Sequence, residues 1–439
     1  MRYRPIVAIA LSVLASPAST MASGPQQPAP TPPVKRFDND RLLDAYKQSI
    51  SDASHGRYID ASYGLLWKLG IERVDETADP DVVDQWAQVM STMTGLPTFN
   101  TAKGADFHVP EKQIAELRSS RGAPAIKEIV RRARDTRIVI LDENHLDPRG
   151  RAFGLEVARA LRPLGYTVLA VEALKRAADD DDARQKMAQL TADGYPRQSS
   201  GYYLDDPVFA DFIRQSLALG YRPVTYEKIR TDHSKDAKVA QEQREQDQAD
   251  NIVTRAVRAF PDAKILIYAG EHHAAERPIA AEGGTLPMMA GLLKRATGID
   301  PLTIDQAGLS PVPMNRPDID LYKIAAPKAA RQSVVLVRHG RPLTVGLLAG
   351  SVDLQVLHPT VHMTGGRPDW LAGMARHRAS IPASLLPSSG TRLVQAFIAS
   401  EGEDAIPVDQ VLVTHGKPAP TLLLPKARVR YTVQNVPES

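Results

Sequence analysis

Histidine and glutamate recur in this chain where apolar runs end. Glu143 and His145 close the run Arg137-Ile-Val-Ile-Leu-Asp-Glu-Asn-His145. Glu172 follows Thr167 to Val171, Glu227 follows Pro223 to Tyr226, and His272, His273 and Glu276 follow Lys264 to Ala269. Neutral imidazole and carboxylate oxygens are ligands for zinc, manganese, cobalt or iron. A histidine oriented by a carboxylate also takes a proton from water as a general base. Two sets are therefore candidates: Glu143, His145, Glu172 and His273 as catalytic groups, and Glu143, His145, His273 and Glu276 as ligands of a divalent metal. Arg244 sits on a long polar segment, where its planar fork suits a substrate carboxylate or phosphate, or a site glutamate. Tyr202 and Glu227 are candidates to line the same substrate site. One glutamate at a strand end is ordinarily a solvated loop residue. The recurrence after several strands in turn singles these out.

The elements that position them follow from pattern. A short apolar run rich in β-branched residues, such as Ile138 to Leu141, reads as a buried strand of a parallel sheet. Side chains alternate along a strand, so Glu143 and His145 point the same way if the chain stays extended. In open α/β sheets the carboxyl ends of the strands are where ligands bind. After His145, strands and helices alternate up to a last strand at Leu302 to Ile304, which predicts a parallel sheet with helices on both faces. The acidic run Asp179 to Asp182 suits the solvated start of a helix. The expected fold class is α/β: a mostly parallel sheet with helices on both faces, a helical N-terminal layer and a small β-rich C-terminal module. The α/β domain with its N-terminal helices is expected over 37–309 and the module over 310–439, where Gly and Pro are frequent. In the N-terminal layer Val82, Val83, Trp86, Val89, Met90 and Met93 fall at helical spacing, as packing residues. In the module, Arg338-His-Gly-Arg-Pro342 and His415-Gly-Lys-Pro418 each read as a Gly-containing turn between two strands.

Composition narrows the function. The 439 residues carry 54 basic and 51 acidic side chains, a formal charge of only +3. No run of Lys and Arg with interleaved aromatics is present, so nucleic acid is not an expected partner. Arg2 and Arg4, the apolar run Ile6 to Leu14, and Ala18, Ala22 and Ser23 make the three-part pattern of a secretory signal peptide over 1–22. A Pro-rich linker follows over 23–36. There is no cysteine, hence no disulfide and no lipobox thiol to acylate. A periplasmic or secreted protein is expected, with no membrane association after cleavage and with a small-molecule or peptide substrate.

The motif Ile-Val-Ile-Leu-Asp-Glu-Asn-His-Leu-Asp-Pro-Arg-Gly-Arg151 resembles the first motif of the erythromycin esterase/ChaN-like/Tiki/TraB superfamily. Leu-Ala-Val-Glu172 is similar to the second acidic strand end of that group, and Tyr-Ala-Gly-Glu-His-His-Ala-Ala-Glu276 to its Gly-x-x-His motif, with the equivalence at His273. The resemblance covers about residues 125–305. It implies an α/β sheet with a polar site at its edge, and Glu143, His145, Glu172 and His273 as the site residues. Members include hydrolases that open a lactone with a His and Glu pair, metal-dependent proteases, and a haem-binding lipoprotein. Asp142 stands where many members have Gly. The expected function is an exported, metal-assisted or metal-free hydrolase of esters or amides. The alternative is a haem or iron-ligand binder, with His272, His273, Tyr202 or Tyr203 as axial ligand. An interaction protein with an inactive site is a further alternative. Val-Leu-Val-Arg-His-Gly340 also resembles the phosphohistidine strand of histidine phosphatases, with His415 as a loose second histidine.

Overall fold

The computed structural model describes residues 39–72, 74, 79–97, 106–231, 234–281, 284–312 and 315–437. The signal peptide and linker expected over 1–36 lie outside these residues. The principal strands are β1 (Ile138–Glu143), β2 (Tyr166–Val171), β3 (Arg222–Thr225), β4 (Lys264–Gly270), β5 (Leu302–Asp305), β6 (Val334–Arg338) and β7 (Leu354–Leu357). They form one sheet in the order β6-β7-β5-β1-β4-β2-β3. Every neighbouring pair from β7 to β3 is parallel, and β6 joins β7 antiparallel. The chain leaves β1 for β2 on one side, β4 inserts between them, and β5 continues on the other side. The carboxyl ends of β1 and β4 therefore border the crevice where such sheets take ligands.

The helices that the core and site use are α1 (Asn39–Ser54), α2 (Pro80–Thr94), α3 (Ala125–Ala133), α4 (Pro148–Leu161), α5 (Asp180–Asp193), α6 (Pro207–Ala218), α7 (Ala237–Ile252) and α8 (Met289–Thr297), with a further helix at Glu111–Ser119 and shorter helical segments elsewhere. Strand alternation sorts the core into two layers. Val139, Leu141, Leu169, Val171, Leu266 and Tyr268 pack against α3, α4 and α6. Ile138, Ile140, Val168, Ala170, Ile265 and Ile267 pack against α7 and α8. Helices cover both faces of a mostly parallel sheet, as the sequence pattern requires. The acidic run at Asp179 is a cap: the Asp179 carboxylate accepts from Asp182 N at 2.9 Å. No described helix is long and apolar enough to cross a membrane.

The expected boundary at residue 310 is not an edge of this sheet. β6 and β7 lie beyond it in sequence and hydrogen-bond into the central sheet. Val334-Val-Leu-Val337 is as apolar as the run in β1, and such a strand needs cover on both faces. The segment Arg121–Pro124 pairs with β6 on its other side. The separate β-rich part is a three-stranded antiparallel sheet, with β8 (Thr391–Ile398) between β9 (Asp409–Thr414) and β10 (Val429–Asn435). The turn at His339 and Gly340 does close a hairpin, from β6 to Arg341–Pro342. The second turn does not: β9 pairs with β8, while Leu422–Leu424 pairs with His377–Ala379. His339 and His415 are exposed on different sheets, so the structure does not bring the two histidines of the phosphatase-like motifs together.

The N-terminal helices pack on the three-stranded C-terminal sheet. Val89, Met90 and Met93 of α2 share a core with Leu393 of β8. Gln410 Nε2 donates to Thr92 O at 3.1 Å, and Gln434 Nε2 to Gly56 O at 2.6 Å. The Tyr58 hydroxyl donates to Asp205 O at 2.6 Å, tying this layer to the loop before α6.

Candidate active site

β1 carries Glu143 on the same face as Val139 and Leu141, and so toward α4 and α6. Its register partner in β4 is Gly270. The Glu143 carboxylate is fully engaged. It accepts from Arg151 Nε at 2.9 Å, Arg151 Nη2 at 3.2 Å, and the Tyr268 hydroxyl at 2.9 Å. Its Oε1 also meets His145 Nδ1 at 2.9 Å. Arg151 lies on the first turn of α4, which starts at Pro148 with Asp147 as its cap. That turn folds the guanidinium back onto β1. Its Nη1 donates to Asp206 Oδ2 at 2.7 Å, its Nη2 to His145 O at 3.0 Å, and Phe209 lies beneath it at 5.0 Å. Asp206 is also the cap of α6, accepting from Val208 N at 3.1 Å. Glu143, Arg151 and Asp206 are all at most 2% exposed along their side chains. Burial pushes the Glu143 carboxyl up, but Arg151 and His145 outweigh it and hold the group below its ordinary range.

His145 is thus clamped through Nδ1 and stacked on Tyr203, with ring centroids 4.2 Å apart. A carboxylate partner requires the proton on Nδ1, which leaves Nε2 as the acceptor. Nε2 lies over Gly270, 2.6 Å from where a Cβ on that glycine would be. Glu172 Oε2 lies 2.9 Å from that same point. Glycine is required here because any side chain would displace both groups.

Glu172 links to a second network. Its Oε2 accepts from Gly270 N, and its Oε1 from Arg244 Nη2. Arg244 also donates from Nε to Glu227 at 2.9 Å, and Gln248 Nε2 donates to Glu227 at 2.8 Å. His273 Nε2 stands 3.6 Å from Glu172 Oε1, and its Nδ1 2.9 Å from Glu245 Oε2. Glu245 further accepts from Met289 N at 2.7 Å and Gln241 Nε2 at 2.7 Å. Burial opposes a charge on Glu172, yet His273 and Arg244 hold it well below its ordinary range. Burial likewise opposes the His273 imidazolium, but Glu245 and Glu172 raise it to about 10.

That shift has a consequence for stability. The folded value of His273 lies above the ordinary 6.5, so its contribution is fully present below about pH 6.5 and is lost as pH rises through about 10. The thermal unfolding midpoint is expected to fall between pH 7 and pH 10, and His273→Gln is expected to flatten that part of the profile. An unchanged slope in the variant would contradict the pairing.

Glu143, His145, Glu172 and His273 are therefore brought to adjacent strand ends, with Arg244 and Glu227 behind Glu172. Glu276 is not brought there: it pairs with Lys294 at 2.6 Å and accepts from Thr303 Oγ1 at 2.9 Å. The turn after β4 runs through His272 in the left-handed region (φ 69°), which carries the chain away before Glu276. Among the described residues, no group of three or more His, Asp or Glu is placed to hold a metal ion. The donor set agrees: Glu143 is spent on Arg151 and Tyr268, and His273 on two glutamates. The candidate haem ligands fare similarly. His272 Nε2 is 2.9 Å from Asn315 Nδ2, Tyr203 lies on His145, and Tyr202 is exposed with its ring edge on Tyr203.

Spacing did not reveal Arg151, Asp206, Tyr268 and Glu245. Tyr268 alternates with Leu266 and reads as core, and Asp206 reads as a cap alone. For Glu245 one signal exists: a helix polar all round, such as α7, is held by side-chain pairs four residues apart and not by an apolar stripe, and Gln241 with Glu245 is such a pair. Beside His145, a partly open cavity of about 20 Å³ is lined by Tyr203 and Asp205 and by Ser54, Gln85 and Gln88 of the N-terminal layer. It has room for about one water.

No family model and no curated relative matches this chain. Among solved structures it is similar to one described as bacterial protein toxins, at 18% identity and a TM-score of 0.31. That overlap covers 42% of this chain and spans only 37% of the other. RRSP, a MARTX toxin effector domain from Vibrio vulnificus CMCP6, overlaps 68% of this chain and 69% of its own, at 15% identity and a TM-score of 0.32. The C-terminal region of Pasteurella multocida toxin, described as holding a thiol-protease-like catalytic triad, overlaps 57% of this chain and 37% of its own, at 12% identity and a TM-score of 0.32.

Proposed function

We propose that the protein is a hydrolase of ester or amide bonds that activates water with His145. The observation that supports this most is that His145 Nε2 and Glu172 Oε2 converge on the open side of Gly270, 2.6 and 2.9 Å from where a Cβ would be. At hydrogen-bond lengths of about 2.7–3.0 Å, one water between the two atoms and clear of the Gly270 backbone bridges them. His145 takes a proton from that water as it attacks the carbonyl carbon, and Glu143 stabilises the imidazolium that forms. His273 is already cationic, held so by Glu245 and Glu172, and supplies positive charge for the developing oxyanion. Arg244 keeps Glu172 ionised and fixed. The chain has no cysteine, so the nucleophile is not a thiolate. With Glu143 held by Arg151 and Tyr268, and His273 held between two glutamates, the residues do not fit a metal. The lactone-opening members of the superfamily that the motifs resemble use the same pair of residue types.

The test is a panel of aryl esters, lactones and peptide amides with the purified full-length protein and with Gly270→Ala. The three atoms nearest a Cβ at 270 are all side-chain atoms, His145 Nε2 and Cε1 and Glu172 Oε2, and none is backbone. The variant is expected to fold with a shift in stability of no more than about 1–3 kcal/mol, while hydrolysis falls by at least 100-fold. A variant that folds and hydrolyses at the unmodified rate would remove the support for this site.

A further inference from the structure

A second histidine at the carboxyl edge of the sheet is organised for chemistry. Val334 of β6 is in register with Leu357 of β7. The residues just outside them, Ser333 and His358, therefore stand side by side. Ser333 Oγ and His358 Nδ1 are 2.8 Å apart, and His358 Nε2 is 3.1 Å from Gln306 Oε1. Gln306 Nε2 donates to Gly150 O at 3.2 Å, so its carbonyl oxygen must be the end that faces the ring. The Gln306 backbone is itself pinned, its N donating to Asp142 Oδ1 at 2.9 Å. These bonds fix the tautomer. His358 carries its proton on Nε2 and turns the Nδ1 lone pair to the Ser333 hydroxyl. Phe153 meets the ring edge-on at 5.1 Å, which holds its plane.

The surroundings suit a nucleophile. His358 is 8% exposed while Ser333 is only half-buried, so the hydroxyl is the end nearer solvent. Burial and the nearby Arg149 guanidinium keep the imidazole well below its ordinary range, which leaves it neutral and able to accept a proton. An open groove of about 740 Å³ is lined by Tyr322, Lys323, Ala329, Ala330, Thr360 and His362, and not by Ser333 or His358 themselves. Ala330 and Thr360 tie it to the pair only through the chain, three residues before Ser333 and two after His358. Arg149 lies between the two features: it bonds Pro359 O and interacts electrostatically with both His358 and Tyr322. Small-molecule sites have volumes of about 300–1,000 Å³.

We propose that Ser333, His358 and Gln306 form a second, acyl-transferring site that takes carboxylic esters at the half-buried Ser333 hydroxyl. Ser333 Oγ bonds to the ester carbonyl carbon as its proton passes to His358 Nδ1. The bond from that carbon to the alcohol oxygen breaks, and the departing alcohol takes the proton from His358. Water then attacks the acyl-serine, gives its proton to His358, and returns the serine hydroxyl as the acid leaves. Arg149 faces the negative charge of each tetrahedral intermediate. Gln306 orients the ring but brings no negative charge to stabilise its protonated form. Both steps pass through that protonated ring, so acylation and deacylation are slowed alike.

The experiment incubates the full-length protein with a fluorophosphonate probe, followed by intact mass and peptide mapping. One phosphonyl group is expected on Ser333. Ser333→Ala abolishes the label, and His358→Ala slows labelling by about 100-fold or more. His145→Ala labels at the unmodified rate, because the site above Gly270 takes no part. Should His358→Ala fail to fold, the Ser333→Ala variant and the mapped position still decide. Absence of label at Ser333 under conditions that label an ordinary serine esterase overturns the proposal, as does labelling that Ser333→Ala leaves intact.

Discussion

Arg151→Met is expected to cost roughly 3–5 kcal/mol of stability, the usual penalty for removing one partner of a buried ion pair. The guanidinium sits between Glu143 and Asp206, both almost without exposure, and Arg151 is the largest fully buried side chain among the described residues. Methionine fills much of the volume but leaves two carboxylates facing each other across an apolar contact with Phe209. Arg151→Lys should recover little, since an ammonium cannot reproduce the forked contact with Glu143 and the separate arm to Asp206. The denaturation midpoint should fall with an unchanged slope against denaturant. Adding Glu143→Gln to Arg151→Met should recover part of the loss, because one orphaned charge is removed, and the double-mutant cycle isolates that coupling. A midpoint equal to that of the unmodified protein would mean the triad bears no weight in the fold.

Much of this arrangement is readable from residue order, and what is missing is missing for definable reasons. Apolar runs that end in charge located β1, β2, β3 and β4, because a strand buried on both faces has no room for polar residues until it leaves the sheet. The same rule applied to Val334-Val-Leu-Val337 would have placed β6 in the central sheet. The high Gly and Pro content around it obscured that signal, and its pairing with β7 and Arg121–Pro124 is set by distant segments. Glu276 was grouped with His273 because they are three residues apart. The left-handed His272 redirects the chain, and spacing cannot register a single positive φ. Arg151 was invisible for another reason. A cation in the first turn of a helix ordinarily faces water, and only the fold reveals that this one faces a buried strand end. The fold class needs nearest-neighbour patterns alone, whereas the site needs pairs such as Tyr268 with Glu143, 125 positions apart.

In a Ser333→Ala background, replacing His145 by alanine is expected to lower hydrolysis of an ester or amide substrate by about 10²–10⁴-fold, the range for loss of a positioned general base. The loss should appear in kcat more than in KM, because His145 acts on water and not on the substrate itself. Stability should change far less than in the Arg151 variant: the ring is 19% exposed, and its removal orphans no charge, since Glu143 keeps Arg151 and Tyr268. Glu143→Gln separates orientation from proton transfer. Glutamine can still accept one hydrogen bond from Nδ1 but cannot stabilise the imidazolium, so an intermediate loss is expected. Tyr203→Leu, which removes the stacked ring without touching a proton path, should cost less than either. The order of the three effects is the discriminating result. A merely structural His145 would make Tyr203→Leu and His145→Ala equivalent, whereas a base over Gly270 makes His145→Ala the most damaging. Initial rates on one hydrolysed ester, with unfolding midpoints of all three variants alongside, distinguish these outcomes.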